Sequence, residues 1–171
     1  MLKVAKFEKV SFSQFCEAWK KFDPDATEEN TEMIYNAIKL PKRATTGSAG
    51  YDFFAPCDIY VPSGSEVLIP TGIRAKIVSG NVLMLFPRSS LGFKYRFQLN
   101  NTVGIIDSDY YDAKNEGHIF CKMINDSRED KKLLIKNGEA FVQGIFLAYG
   151  ITEDDDTETI RTGGIGSTTN I

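Results

Sequence analysis

Histidine is almost absent: His118 is the one imidazole in 171 residues, so a metal centre built on paired imidazoles is excluded by count. Cysteine is scarce too. Cys16, Cys57 and Cys121 are odd in number, far apart and without a CxxC pair, which excludes a disulfide framework or a thiolate zinc site and suits reducing, cytoplasmic surroundings. Apolar runs such as Val82 to Phe86 fall far short of the ~20 residues that cross a bilayer. Met1 to Lys6 carries charge with no apolar core behind it, so no secretion signal is expected. Positive charge is not in excess: the net charge is −3 and the pI about 5.3. A general nucleic-acid binder is thereby excluded, and any bound anion must meet a local cluster of Lys or Arg. No internal repeat is present. A soluble, cytoplasmic chain that binds neither membrane nor nucleic acid is the expectation.

What is there suffices for a packed core: 42% of residues are apolar and 25% charged, as in ordinary globular domains. The length fits one domain with an appendage. Residues 1–39 read as an N-terminal extension carrying one amphipathic helix. Ser11 and Gln14 have capping-box spacing, Phe15, Ala18, Trp19 and Phe22 recur on one helical face, and Asp23-Pro24 stops the run. Residues 25–32 suit a loop or short helix, and Met33 to Leu40 suits a first strand. Residues 40–152 read as a β core. Ile73, Ala75 and Ile77 alternate with Arg74 and Lys76, and Val67–Ile69, Val82–Phe86, His118–Met123, Lys132–Ile135 and Phe141–Ala148 are further strands. Many short strands between Gly, Pro, Asn and Ser turns predict a mainly β sandwich, jelly roll or small barrel. Residues 153–171 form an acidic linker, Glu153 to Glu158, and a Gly-rich arm expected to be mobile.

Four segments of the β region carry more polar detail than packing requires. Gly47 to Asp52 sets a carboxylate after two glycines, as a turn entering a strand also would. Pro87 to Lys94 places Arg88, Ser89, Ser90 and Lys94 at the start of a short helix; this is either a phosphate cradle or Ser89 acting as an N-cap beside a surface charge. Asn101 to Tyr110 ends an apolar run in Asp-Ser-Asp-Tyr, which suggests a hairpin whose turn brings a carboxylate and a ring together. Gly138 to Gln143 puts an amide in an apolar strand, where it needs a partner.

In this order the segments resemble the five motifs of the trimeric dUTPases. Gly50-Tyr51-Asp52 is similar to motif one, Pro87 to Gly92 to motif two, Gly104 to Tyr110 to motif three, Gly138 to Gln143 to motif four and Arg161 to Thr168 to motif five. The resemblance covers residues 40–171. It implies a jelly-roll β core and hydrolysis of dUTP to dUMP and pyrophosphate, which limits uracil in DNA and supplies dUMP for thymidylate synthesis. It also implies a homotrimer with shared sites.

The resemblance assigns roles residue by residue. Asp107 orients and deprotonates the attacking water. Arg88, Ser89, Ser90 and Gln143 bind phosphate oxygens, and Arg161 closes over the β and γ groups with Gly166, Ser167 and Thr168. Asn101 and the backbone of Gly104 and Ile106 pair with the uracil edge, Ile165 covers the base, and Tyr110 lies against the deoxyribose. Mg²⁺ is held chiefly by triphosphate and water, with Asp52 acting through water and no direct protein ligand. The chain departs from the motifs at four points. Ala140 replaces an Arg, Ile165 replaces an aromatic, Arg161 sits one residue closer to position 165, and Asp112 follows the motif-three tyrosines. Two alternatives stay open: a dCTP deaminase, which needs a glutamate base for which no segment is found, and a dUTPase-like scaffold docking a protein partner through Phe12, Phe15 or Trp19. His118 reads as a packed or surface residue.

Overall fold

The computed structural model describes residues 2–159, 161 and 163. Strand β1 (Ala5–Lys9) is followed by helices α1 (Phe12–Phe22) and α2 (Glu28–Ala37). The β core then runs β2 (Lys42–Arg43), β3 (Tyr51–Phe54), β4 (Ile59–Val61), β5 (Glu66–Pro70), β6 (Ile73–Ile77) and β7 (Asn81–Pro87). Helix α3 (Ser89–Tyr95), β8 (Phe97–Leu99), β9 (Gly104–Ile106) and a 3₁₀ turn (Ser108–Asp112) come next, and β10 (Phe120–Asn125), β11 (Leu133–Ile135) and β12 (Ala140–Ala148) complete the core. All ladders are antiparallel. The largest sheet has the order β2-β3-β12-β7-β9, and β5-β10-β8, β4-β11 and β1-β6 form smaller ones. Non-consecutive neighbours of this kind are the mark of the jelly-roll arrangement expected from the sequence. Aliphatic and aromatic residues of the inner faces, among them Phe53, Ile69, Leu83, Leu85, Phe97, Met123 and Phe141, form the core.

Helix α1 forms as its sequence predicts. The Ser11 hydroxyl accepts from the Gln14 N–H, and Phe15, Ala18 and Trp19 are buried. Phe15 and Trp19 build a second apolar cluster with Val10, edged by Phe22, Ile34, Tyr35 and Ile38. Phe15 and Trp19 are therefore core residues, at 0% and 1% exposure, and not a docking surface.

Two sequence expectations are corrected. Met33 to Leu40 is not a strand: most of it belongs to α2, whose first turn is capped by the Thr27 hydroxyl taking the Asn30 N–H and carries Glu28 and Glu29 at the positive end of the helix. The spacing of Ile34 and Ile38 serves helical packing against Phe15, with Tyr35 5.6 Å from that ring. The first strand is instead β1, which the sequence reading missed; it pairs with β6 from Ala5↔Ile77 to Lys9↔Ile73. The hairpin expected to turn at Asp107 to Tyr110 is also absent: β9 pairs with β7 and the next strand, β10, with β5 and β8, so a 3₁₀ turn leads from one sheet to another. Residues 100–103 cross between sheets, with Thr102 at φ 68°. Strand His118–Met123 starts two residues later than expected, at Phe120. No helix among the described residues is long and apolar enough to cross a membrane.

Candidate active site

Three of the sequence segments meet in the large sheet. Gln143 on β12 faces Asp52 on β3 and Phe86 on β7, so motifs one, two and four converge through backbone ladders alone. Arg88 Nη1 lies 3.5 Å from Asp52 Oδ2. Gly50 leaves room here: a Cβ on it would stand 2.7 Å from Gln143 Oε1, so a larger residue would displace the amide from this position. Gln143 Nε2 reaches the Pro87 carbonyl at 3.5 Å, too long for a good hydrogen bond. The half-buried amide thus has a backbone partner, as the sequence reading allows, but a weak one, and among the described residues it makes no other side-chain bond. Ser89 and Ser90 are exposed in the first turn of α3. The N-cap position belongs to Arg88 and not to Ser89, and no side chain caps the helix.

The remaining segment, Asn101 to Tyr110, builds a separate centre. β9 delivers Gly104 and Ile106, both buried, beside Leu85 and Leu83 of β7. With Asn101, Ile105, Leu68, Leu99 and Phe120 they line a cavity of about 300 Å³, within the size range of small-ligand pockets. At its edge the chain turns into the 3₁₀ segment, with Asp107 at its N-cap and Tyr110 buried. The Tyr110 hydroxyl donates to the His118 carbonyl and accepts from Asn115 Nδ2, each at 2.7 Å. Burial pushes its phenol up, opposed by the Asn115 hydrogen bond and the charge of Arg161.

Arg161 comes to this centre. Its Nη2 donates to Asp107 Oδ2 at 2.5 Å and its Nε to Asp109 Oδ1 at 2.9 Å, and its guanidinium carbon stands 5.8 Å from the Tyr110 ring centroid. Arg161 thereby links Asp107 to the buried ring of Tyr110 on one side of the molecule. Ile165, Gly166, Ser167 and Thr168 lie outside the described residues. Asp109, His118, Asn115 and Phe120 are part of this centre and were not assigned to it from the sequence; Asp109 and Asn115 are polar residues next to a motif, and neither spacing nor periodicity marks them.

His118 is fully buried and packs near Phe15 and Phe120. Its Nε2 accepts the Gly72 N–H at 2.8 Å, which fixes the neutral tautomer with hydrogen on Nδ1. Burial lowers its pKa to about 4, with Glu116 pulling the other way. Among the described residues no three His, Cys, Asp or Glu side chains gather as a metal site.

Residues 36–169 match the dUTPase family model. A deoxyuridine 5'-triphosphate nucleotidohydrolase from Lactococcus lactis is 42% identical over 134 residues, covering 77% of this chain and 88% of that protein. The Haemophilus ducreyi protein of the same name is 39% identical over 141 residues, covering 78% and 88%. Among solved structures, the dUTPase of Streptococcus mutans is 36% identical with a TM-score of 0.63, covering 86% of this chain and 98% of that one. A mutant dUTPase from phage phi11 of S. aureus, described with a structural Mg(II) ion, shares the fold at 15% identity and a TM-score of 0.63, covering 92% and 98%.

Proposed function

The chain belongs to the dUTPase family, and we propose that it hydrolyses dUTP to dUMP and pyrophosphate with Asp107 as the base. The observation that carries this reading is that Arg161 bridges Asp107 and the ring of Tyr110, next to a cavity bounded by Asn101, Gly104 and Ile106. Such a cavity receives uracil: the Asn101 amide and the strand backbone offer donors and acceptors to its edge, and the sugar then rests on Tyr110. A ribonucleotide's 2′-hydroxyl against that ring finds no partner, which disfavours UTP. Ile165 covers the base from the arm.

The chemistry follows from the charges. A water held by Asp107 gives up its proton to the carboxylate as it attacks the α-phosphorus in line. Arg88, Ser89, Ser90 and Gln143 hold phosphate oxygens, and the unused capacity of the Gln143 amide supports that role. In the substrate-free chain Arg161 pairs with Asp107 and Asp109. A triphosphate carries more charge than either carboxylate, so transfer of Arg161 to the β and γ groups, with Gly166 and Ser167, frees the base. Asp52 stands as a single carboxylate beside Arg88, which suits an outer-sphere contact to Mg²⁺ held by triphosphate and water. When bound, the ion offsets charge on the departing pyrophosphate.

The register supports a shared site. Ile106 lies opposite Leu83 whereas Gln143 lies opposite Phe86, so Asp107 and Gln143 are separated by about 13 Å along the strands and about 10 Å across them. That gap is wide for one α-phosphate. A homotrimer in which one subunit supplies Asp107 and another the Arg88–Gln143 cluster brings them together. The setting is cytoplasmic, where the reaction limits uracil incorporation and supplies dUMP. Pyrophosphate release from dUTP, dCTP, dTTP and UTP tests the reading: dUTP alone is turned over efficiently, and equal turnover of dCTP or UTP would overturn it.

A further inference from the structure

The turn between the 3₁₀ segment and β10 is tied to Tyr110 by contacts that the reaction above does not use. We propose that Asn115 is a positioning residue for Tyr110, and that the N-terminal segment holds Asn115 in place through Glu116. The inference rests on the reading of Tyr110 as the support for the deoxyribose.

The hydroxyl of Tyr110 has one hydrogen, given to the His118 carbonyl, so its second bond must be accepted from Asn115 Nδ2. This orientation leaves Asn115 Oδ1 buried without a partner among the described residues. An amide held at that cost satisfies Tyr110 and not itself. The turn is pressed onto the tyrosine backbone: Gly117 has φ +68°, and a Cβ there would stand 2.7 Å from both Tyr110 O and Tyr111 Cα. Glu116, also at positive φ, points away from the tyrosine and accepts the Ser11 N–H at 2.7 Å and the Ser11 hydroxyl at 2.6 Å. Arg74 Nη1 adds a contact at 3.7 Å. On the other flank, the Tyr111 hydroxyl donates to Glu8 Oε2 at 2.5 Å, and its ring lies 3.5 Å from the Arg74 guanidinium carbon. Glu8 and Ser11 precede the family match, which begins at residue 36. Both shoulders of the sugar-supporting ring are thus gripped by a segment outside the family match.

A phenol anchored only through its donated bond can tilt, and its face is what meets the sugar. The variants Asn115→Ala, Tyr110→Phe, their double combination, Ser11→Ala and Tyr110→Leu, each assayed for kcat/KM with dUTP and UTP, test this. Asn115→Ala is expected to lower the dUTP/UTP ratio about tenfold, the scale of one hydrogen bond. Tyr110→Phe, which also loses the bond to the His118 carbonyl, should lower the ratio at least as far, and Asn115→Ala should add nothing further in the Tyr110→Phe background, where the shared bond is already gone. Ser11→Ala, at the surface, should lower the ratio in the same direction by a smaller factor. A merely structural Asn115 would depress both substrates alike and leave the ratio fixed, and that result overturns the proposal. If Tyr110→Leu itself leaves the ratio unchanged, the reading of Tyr110 falls and the proposal with it. If Tyr110→Leu collapses the ratio and Asn115→Ala does not, only the positioning role is lost.

Discussion

Subunit mixing gives the sharpest test of how the site is assembled. Asp107 continues β9 past Ile106, which faces Leu83, and Arg88 follows β7 past Pro87, which faces Val142. Six residues along β7 separate the two levels, about 20 Å at 3.3 Å each. Under the proposed assignment Arg88→Ala removes a phosphate cation and Asp107→Asn removes the base, so each variant alone is expected to be nearly inactive. Mixed by co-refolding in equal amounts, the two chains distribute at random. Where a site takes Asp107 from one subunit and Arg88 from another, each arrives intact with even odds. About one quarter of the sites are then whole. Pyrophosphate release should therefore recover to about a quarter of the unmodified activity. Where both residues come from the same chain, no mixture contains an intact site. Recovery no greater than the sum of the two parents would refute the shared-site argument, and separate confirmation that the chains exchange would exclude a failure to mix.

Three further outcomes follow from particular contacts. Asp107→Asn keeps the shape of the side chain while removing the base, so pyrophosphate release should fall about 10²-fold to 10⁴-fold; calorimetry with a non-hydrolysable dUTP analogue should show nearly unchanged affinity. Trp19 is 1% exposed and stacked at 5.1 Å on Phe15, so Trp19→Ala should cost about 3–5 kcal/mol in urea unfolding, and a loss below about 1 kcal/mol would mean that α1 is not part of the folding unit. His118 has its pKa lowered to about 4 by burial, so between pH 4 and 6.5 the unfolded chain binds the extra proton. Its contribution is complete above about pH 6.5 and lost as pH falls through about 4, a change of about 3 kcal/mol. His118→Gln should flatten that part of the curve of stability against pH.

The parts of the fold legible in the sequence are those decided locally. Ser11, Gln14 and the Phe15–Trp19 spacing specify α1 within one stretch of chain, and the alternation from Ile73 to Ile77 specifies β6 because its two faces meet different surroundings. The second half of helix α2 is hidden in the sequence, which allows a short helix over 25–32 but gives Ile34, Tyr35 and Ile38 types that suit a strand equally well. The Thr27 cap and the proximity of Phe15 decide the matter, and the second of these is a tertiary fact. β1 was hidden for the same reason: its five residues become a strand by pairing with β6, whose first residue lies far along the chain.

The same division runs through the site. The end proposed to hold phosphate lies inside a five-stranded sheet, where backbone ladders put Asp52, Gln143 and Phe86 side by side. Glycine, arginine and carboxylate spacing in the sequence reports such a geometry directly. The sugar end stands on a 3₁₀ turn and a loop, which have no ladder of their own to fix a ring. Its rigidity has to come from side chains, and Glu116 finds Ser11 across 105 residues of sequence. No local pattern can announce such a bond. A site half built on a sheet edge and half on a braced turn is therefore legible in one half only, and the bracing is where this chain's specificity has room to differ from that of relatives sharing its motifs.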